Sequence, residues 1–333
     1  SYAFAECKSF ENVVIPDGVT TIGAGAFRSD TNIKNLTVPF IGLSKDSTGS
    51  YGNLAYWFNS FNNNQYNQYD YAGNIVSTKT SSYYEDNKDC HYAYYGVNPS
   101  VSKSKVNSTL YVHNQTKQIS EYDSNAHESL GNYNSFYQTT GYFDSITVTQ
   151  ADTLHNGAFF RVRAKQINLT SENLTTIENG AFAYMMWGTN DENEEYVSTL
   201  AIPSTVRKIG KYLTAGSNLQ NLELPSSLTD VDILAFANSK SLKKVTINSV
   251  ISDDLTTKMG DYMFLGCSNL EEVVLNGNIK AISDYAFYDC NKLKKFDSED
   301  DIINIKDTTE SIGQYAFSFS TTNKDPRTVE RVV

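Results

Sequence analysis

The sequence predicts a repeat solenoid: a right-handed parallel β stack of short strands, turns and short helical segments, interrupted by one large insertion. Three observations carry this. An anchor residue, Phe or once Leu, returns at intervals of 23 residues from Phe4 to Phe27, Phe159 to Phe182, Leu213 to Phe236 and Phe264 to Phe287, a period typical of stacked repeats. An apolar residue follows the anchor by six positions at Phe10, Ile33, Leu219, Leu242, Leu270 and Leu293. An Ile, Val or Met precedes the next anchor by five at Ile22, Ile177, Val231, Met259, Ile282 and Ile312.

Within each repeat, apolar residues alternate with polar ones at Val13 and Ile15, Leu36 and Val38, Leu222 and Leu224, Val245 and Ile247, and Val273 and Leu275. Period-2 alternation over so short a run is a strand signal. One strand per turn implies parallel stacking. Pro16, Pro39, Pro203 and Pro225 each follow the second apolar strand residue, where the missing N–H ends the ladder. Gly23, Gly210, Gly260 and Gly313 come right after the apolar residue that precedes the Ala-Phe pair, a position suited to a tight turn with unusual backbone angles. The Ala before the anchor allows close approach on the opposite wall. The Phe fills the centre, and burying each ring contributes about 1.5–3 kcal/mol.

Of the four cysteines, Cys7, Cys267 and Cys290 lie three residues after the anchor and read as small buried fillers, with a Cys267–Cys290 bridge between neighbouring rungs left open. The turns around Asp191–Glu195, after Ile247 and after Phe296 are lengthened and read as surface loops. Asp191 to Glu195 and Glu299 to Asp301 offer carboxylates to calcium but lack a ligating loop's spacing, so no metal is expected.

The chain divides into repeats over 1–40, a Tyr/Asn-rich insertion over 41–105, degenerate repeats over 106–142, in which Leu110 and Val112 restore one rung, and repeats again over 143–333. The insertion is too long for an idle loop. Two readings of it stand: a loosely packed surface elaboration, or a recognition surface built from Tyr51, Tyr56, Trp57, Tyr66, Tyr69, Tyr71, Tyr83, Tyr84, Tyr92, Tyr94 and Tyr95. Tyrosine brings large contact area at small entropic cost.

Composition narrows the function classes. The chain has 333 residues, 40% of them hydrophobic, and a net charge of -11, which opposes phosphate neutralisation and excludes nucleic acid as an expected partner. No run of 18 apolar residues occurs, so no helical membrane insertion is expected of this fragment. The segment begins and ends partway through a repeat, which reads as a piece of a longer chain whose signal and anchor lie elsewhere. The histidines His91, His113, His127 and His155 form no metal spacing, and no nucleophile elbow, P-loop or dinucleotide fingerprint occurs. No cofactor or catalytic residue is assigned. Asn-x-Thr triplets at Asn35, Asn107, Asn114, Asn168 and Asn173 are read as a consequence of Asn- and Thr-rich composition.

The pattern Ala-Phe-x-x-Cys-x-x-Leu-x-x-Val-x-Ile-Pro followed by Ile-Gly-x-x-Ala-Phe, over residues 1–39 and about 143–320, resembles the BspA-type leucine-rich repeat. The stretch Val38-Pro39-Phe40-Ile41-Gly42, with Tyr51-Gly52-Asn53-Leu54-Ala55-Tyr56-Trp57-Phe58, resembles an insertion of bacterial members, which implies that it is folded. The resemblance implies cell-surface or secreted proteins that adhere to host matrix protein, mucosal glycan or other cells. It carries over no catalytic or ligand-binding residue. The reading is a non-catalytic surface binding protein that uses the insertion or the outward strand positions Asn12, Asn35, Thr37, Asn221, Glu223, Lys244, Thr246 and Glu272. The alternatives are a structural stalk and, more remotely, a glycan-cleaving enzyme with two close carboxylates.

Overall fold

The computed structural model describes residues 1–58 apart from 8, 29 and 31, the strands 64–69 and 75–81, residues 143–188 apart from 161 and 184, and residues 196–248 and 260–319. In chain order the strands are β1 (Asn12–Val14), β2 (Asn35–Val38), β3 (Asn64–Tyr69), β4 (Ile75–Ser81), β5 (Phe143–Val148), β6 (Thr153–Leu154), β7 (Arg163–Leu169), β8 (Thr176–Ile177) and β9 (Met186–Trp187). There follow β10 (Thr199–Ala201), β11 (Lys208–Ile209), β12 (Asn221–Leu224), β13 (Asp230–Val231), β14 (Lys244–Ile247), β15 (Glu272–Leu275), β16 (Ala281–Ile282), β17 (Lys295–Phe296) and β18 (Ser311–Ile312).

One wall of the solenoid is the alternating strand read from sequence. It forms two parallel sheets, β1-β2-β5-β7-β9 and β10-β12-β14-β15-β17. Pairing is residue for residue across rungs, as in Val245↔Val273 and Ile247↔Leu275, and the buried positions of β2, β14 and β15 are the predicted apolar ones. β2, β10 and β12 end one residue or less before Pro39, Pro203 and Pro225.

The expectation of one strand per turn is corrected. The Ile or Val five residues before the anchor sits in a second parallel ladder, β13-β11-β8-β6, continued by β16-β18. Its strands are only two residues long, too short for alternation to be visible.

The second ladder also carries the stack across the break between the main sheets, because β8 pairs with β11. At the break, the Asn218 side chain stands in for a neighbouring peptide. Its Oδ1 accepts from the Trp187 amide at 2.6 Å, and its Nδ2 donates to the Trp187 carbonyl at 2.8 Å.

The Phe anchors form columns down the core. Rings stack at centroid separations of 5.5 Å for Phe4–Phe27, 5.3 Å for Phe159–Phe182, 5.2 Å for Phe264–Phe287 and 5.4 Å for Phe287–Phe317. Phe27, Phe159, Phe182, Phe264 and Phe287 lie in one continuous buried cluster, Phe317 packs against it, and Phe4 at the end of its column is exposed. The column is interrupted near Leu213. Positive φ values flank the anchor in most rungs, for example at Leu234 and Asn238 around Phe236, and here they fall at Tyr212 and Gly216. That places Thr214 at the anchor position, one residue later than the sequence alignment of Leu213. Thr214 is fully buried, and its hydroxyl shares a 2.8 Å hydrogen bond with Ser239 on the next rung.

The glycines read as turn residues have a different cause. Gly23, Gly210, Gly260 and Gly313 do not adopt positive φ. They lie against the preceding rung: a Cβ on Gly210 would meet Asn179 Oδ1 at 2.4 Å, and one on Gly313 would meet the Asp284 nitrogen at 2.3 Å. These carboxamide and carboxylate side chains reach up to the next rung, where Asn179 Oδ1 accepts from the Lys211 amide and Asp284 Oδ1 from the Gln314 amide. The left-handed conformation occurs instead two residues before the anchor, at Gly25, Gly157 and Gly180 but also at Tyr262, Tyr285 and Tyr315. A tyrosine there costs backbone strain. The rings offset it by stacking on one another, at 5.0 Å for Tyr262–Tyr285 and 5.2 Å for Tyr285–Tyr315.

Cys267 and Cys290 are free and buried. Each thiol donates to the carbonyl of the anchor one rung back, Phe236 and Phe264 respectively. The bridge left open by the sequence is not formed.

Candidate binding surfaces

The insertion begins later than its composition indicates. Phe40, Ile41, Leu54, Tyr56, Trp57 and Phe58 are all buried in the solenoid core. Gly42 has φ of 97° and lies so close to Tyr51 that a Cβ would meet the Tyr51 carbonyl oxygen at 2.0 Å, so no other residue fits there. The Trp57 indole N–H donates to the Gly42 carbonyl at 2.7 Å. The Phe27 amide donates to the Trp57 carbonyl, and the Phe58 ring lies 5.9 Å from Phe27. Residues 40–58 therefore complete a rung, with Phe58 as its anchor, and the boundary at 41 moves to about 59.

That rung contains a 3-10 turn, Gly49–Gly52, and one helical turn, Ala55–Phe58, the only helical segments among the described residues. At the far side, β5 pairs directly with β2, from Asn35↔Ser145 to Val38↔Val148. Leu110, Val112 and the degenerate repeats expected over 106–142 lie outside the described residues, and no strand separates β2 from β5. The Phe58 and Phe143 rings touch edge to face at 5.8 Å. Phe58 and Phe143, 85 positions apart in the chain, thus lie side by side.

The tyrosines proposed from sequence separate accordingly. Tyr56 and Trp57 are 6% and 0% exposed, so as display residues they are corrected: they are core. Tyr51 is half-buried against the same core, its ring 5.6 Å from that of Tyr56. Tyr66 and Tyr69 lie on β3, which forms an antiparallel hairpin with β4, Tyr66 opposite Lys79 and Tyr69 opposite Ile75. Tyr71, Tyr83, Tyr84, Tyr92, Tyr94 and Tyr95 lie outside the described residues.

The outward strand positions form ladders of their own. Asn35 Nδ2 donates to Asn12 Oδ1 at 2.9 Å, and Ser145 Oγ donates to Asn35 Oδ1 at 2.8 Å. Asn168 Nδ2 donates to Thr147 Oγ1 at 3.2 Å. The Asn35 and Asn168 amides are thus engaged along the ladder. On the second sheet the same row carries charge, with Lys244 and Glu272 paired at 2.9 Å. Such exposed pairs contribute under about 1 kcal/mol. Their role is to present a mixed polar face with no dominant sign.

Asp191–Glu195 lies outside the described residues. Around Glu299–Asp301, Lys295 Nζ donates to the Glu299 carbonyl at 2.5 Å and Lys294 faces Asp301 at 3.8 Å. Among the described residues no three His, Cys, Asp or Glu side chains converge to hold a metal. No helix among them is long and apolar enough to cross a membrane. His91, His113 and His127 lie outside the described residues. His155 is packed between rungs, its Nδ1 3.3 Å from Glu178 Oε2 and its Nε2 3.0 Å from the Lys45 carbonyl.

A parallel stack of paired short strands around columns of Phe anchors, broken at Thr214, is the architecture of a leucine-rich-repeat solenoid. The model of the BspA type leucine-rich repeat region matches the chain in six copies, over residues 1–88, 107–189 and 192–324. The chain belongs to this family. Among solved structures it is similar to a leucine-rich repeat protein from Bacteroides ovatus, at 14% identity, covering 100% of this chain and 68% of that one with a TM-score of 0.37. It is similar to a leucine-rich cell-surface protein from Faecalibacterium prausnitzii at 17% identity, 53% and 51% coverage and a TM-score of 0.28. The pneumococcal vaccine antigen PcpA is similar at 18% identity, 53% and 59% coverage and a TM-score of 0.26. The chain spans about half of the F. prausnitzii structure and somewhat more of PcpA. No curated protein matches.

Proposed function

We infer that this protein is a non-catalytic binding protein of the cell surface or extracellular space, in which the repeat stack displays the Tyr/Asn-rich insertion to a host matrix protein, a mucosal glycan or another cell. The observation that carries this reading is the join between Phe58 and Phe143, whose rings are 5.8 Å apart. A long segment grafted at one point onto an unbroken β2-β5 register is not needed to complete the stack, whose own inward residues are already used in packing. Membership in a family of leucine-rich repeats, and solved relatives described as a cell-surface protein and a vaccine antigen, support a surface location. The residues proposed to make contact are Tyr66, Tyr69, Tyr71, Tyr83, Tyr84, Tyr94 and Tyr95, with Tyr51 at the base.

The test is deletion of residues 62–139 with a short Gly/Ser linker, followed by a matrix-protein and glycan array. Loss of all binding with an unchanged melting temperature supports the reading. Undiminished binding sinks it and favours the strand face. Absence of binding by the intact protein favours the stalk. Turnover of any glycan on the array establishes the enzyme instead.

A further inference from the structure

We propose that His155 is a proton-operated staple that fastens residues 43–54, part of the rung that precedes the insertion and serves as its base, to the rung that follows. The argument starts from chain connectivity. Between Phe58 and Phe143 residues 59–142 intervene, and so long a connection does little to hold its ends together. The base must be tied to the next rung by direct contacts.

Three polar contacts do this. The Leu54 amide donates to the Ala158 carbonyl at 2.9 Å, Lys45 pairs with Asp152 at 2.7 Å, with both side chains more than 40% exposed, and His155 reaches the Lys45 carbonyl. The third is the buried one, the His155 side chain being 11% exposed. Gly52 lies against it closely enough that a Cβ would approach the His155 Cβ at 3.0 Å.

Both ring nitrogens face acceptors. The Lys45 carbonyl accepts only, and the Glu178 carboxylate accepts while also taking the Asn156 amide at 3.0 Å. A neutral imidazole has one N–H and satisfies one of them; the imidazolium satisfies both. The charged groups around the ring are Glu178 from the turn after β8, Asp152 before β6, and Lys45 with its neighbour Asp46 from the insertion base, with Lys208 of β11 acting on Glu178 from the next rung. Burial alone lowers the histidine's pKa. The hydrogen bonds to Glu178 and to the Lys45 carbonyl, with the charges of Glu178 and Asp152, outweigh it and raise the pKa above the ordinary value. The sign follows: the staple is fully closed below the free-histidine pKa of about 6.5 and opens as pH rises through the higher folded-state value.

The staple does not depend on what the insertion binds, and its test reads the fold alone. In the intact protein, 15N chemical shifts of the His155 ring should report a doubly protonated imidazole at low pH that titrates above free histidine. Hydrogen exchange at Leu43 and Leu54, corrected for intrinsic rates, should lose protection severalfold as the ring deprotonates, while Phe264 and Phe287 stay unchanged. H155Q should abolish the step. E178Q, which keeps the shape and removes the charge, should move its midpoint to lower pH. A His155 that titrates at or below the free value, a pH-independent exchange at Leu43 and Leu54, or an E178Q midpoint that does not move would each overturn the proposal.

Discussion

Phe287 shows what the anchor position asks of a residue. Its ring is fully buried, stacked on Phe264 and Phe317 and edge-on to Phe296 at 5.4 Å. Phe287→Ala should cost about 3–5 kcal/mol, measured as the shift of the urea midpoint. Glycines separate by what lies above them. Gly210→Ala drives a methyl into Asn179 and should cost about 1–3 kcal/mol by overpacking. Gly18→Ala meets nothing within 4 Å and should be neutral or stabilise by up to about 1 kcal/mol through the unfolded chain.

Asp30 occupies the position that Cys7, Cys267 and Cys290 fill in other rungs. It is 2% exposed, and its carboxylate has no well-formed hydrogen bond, the nearby Cys7 backbone being its one polar support. Burial raises its pKa; the Cys7 backbone offsets part of this, and the Glu6 charge adds to it. A carboxyl whose folded pKa is raised favours the fold at low pH and loses that contribution as pH rises through the folded value. Asp30→Asn should therefore stabilise the protein at about pH 7 and reduce the difference between about pH 4 and about pH 7, read from denaturant midpoints.

Among elements, the lengthened turn after β17 is informative. β17 pairs with only two residues of β15, and the chain then bulges out and returns at Ile303, bridged to Phe296. Lys306 closes the space: its Nζ donates to the Leu275 carbonyl at 2.7 Å and the Gly277 carbonyl at 3.2 Å and faces Asp297 at 3.4 Å. Lys306→Met keeps the stem and removes the donors, leaving partly buried carbonyls unpaired, and should cost about 1–3 kcal/mol by the same denaturation measurement. The main strands and their proline ends were legible because alternation over four residues is a local signal. The second ladder was legible only as a recurring Ile or Val, since its short strands, such as β8 and β16, cannot show a period. The break sealed by Asn218 carried no local signal, because that side chain acts on Trp187, 31 residues away.

At the scale of the molecule, the insertion's boundary decides which deletion is interpretable. Removing residues 41–105 would excise Ile41, Leu54, Trp57 and Phe58 from the core and unfold a rung. Removing residues 62–139 should leave the melting temperature within a few degrees of the intact protein, since β2 and β5 are already paired. A large loss, measured by calorimetry, would mean that the insertion supports the stack.

The sequence by itself determined the rung: its length, its inward Phe, Leu and Val residues, its proline stops and its buried cysteines. These are local properties repeated many times, so each copy reinforces the reading. Tertiary structure alone decided that Tyr56 and Trp57 turn into the core, that Thr214 rather than Leu213 takes the anchor position, and that Gly210 is small to admit Asn179. It also decided that His155 meets a carbonyl 110 residues earlier in the chain. The physical reason is register. Which residues of two rungs touch depends on how much chain is looped out between them, and a periodic pattern specifies the rung without specifying that length.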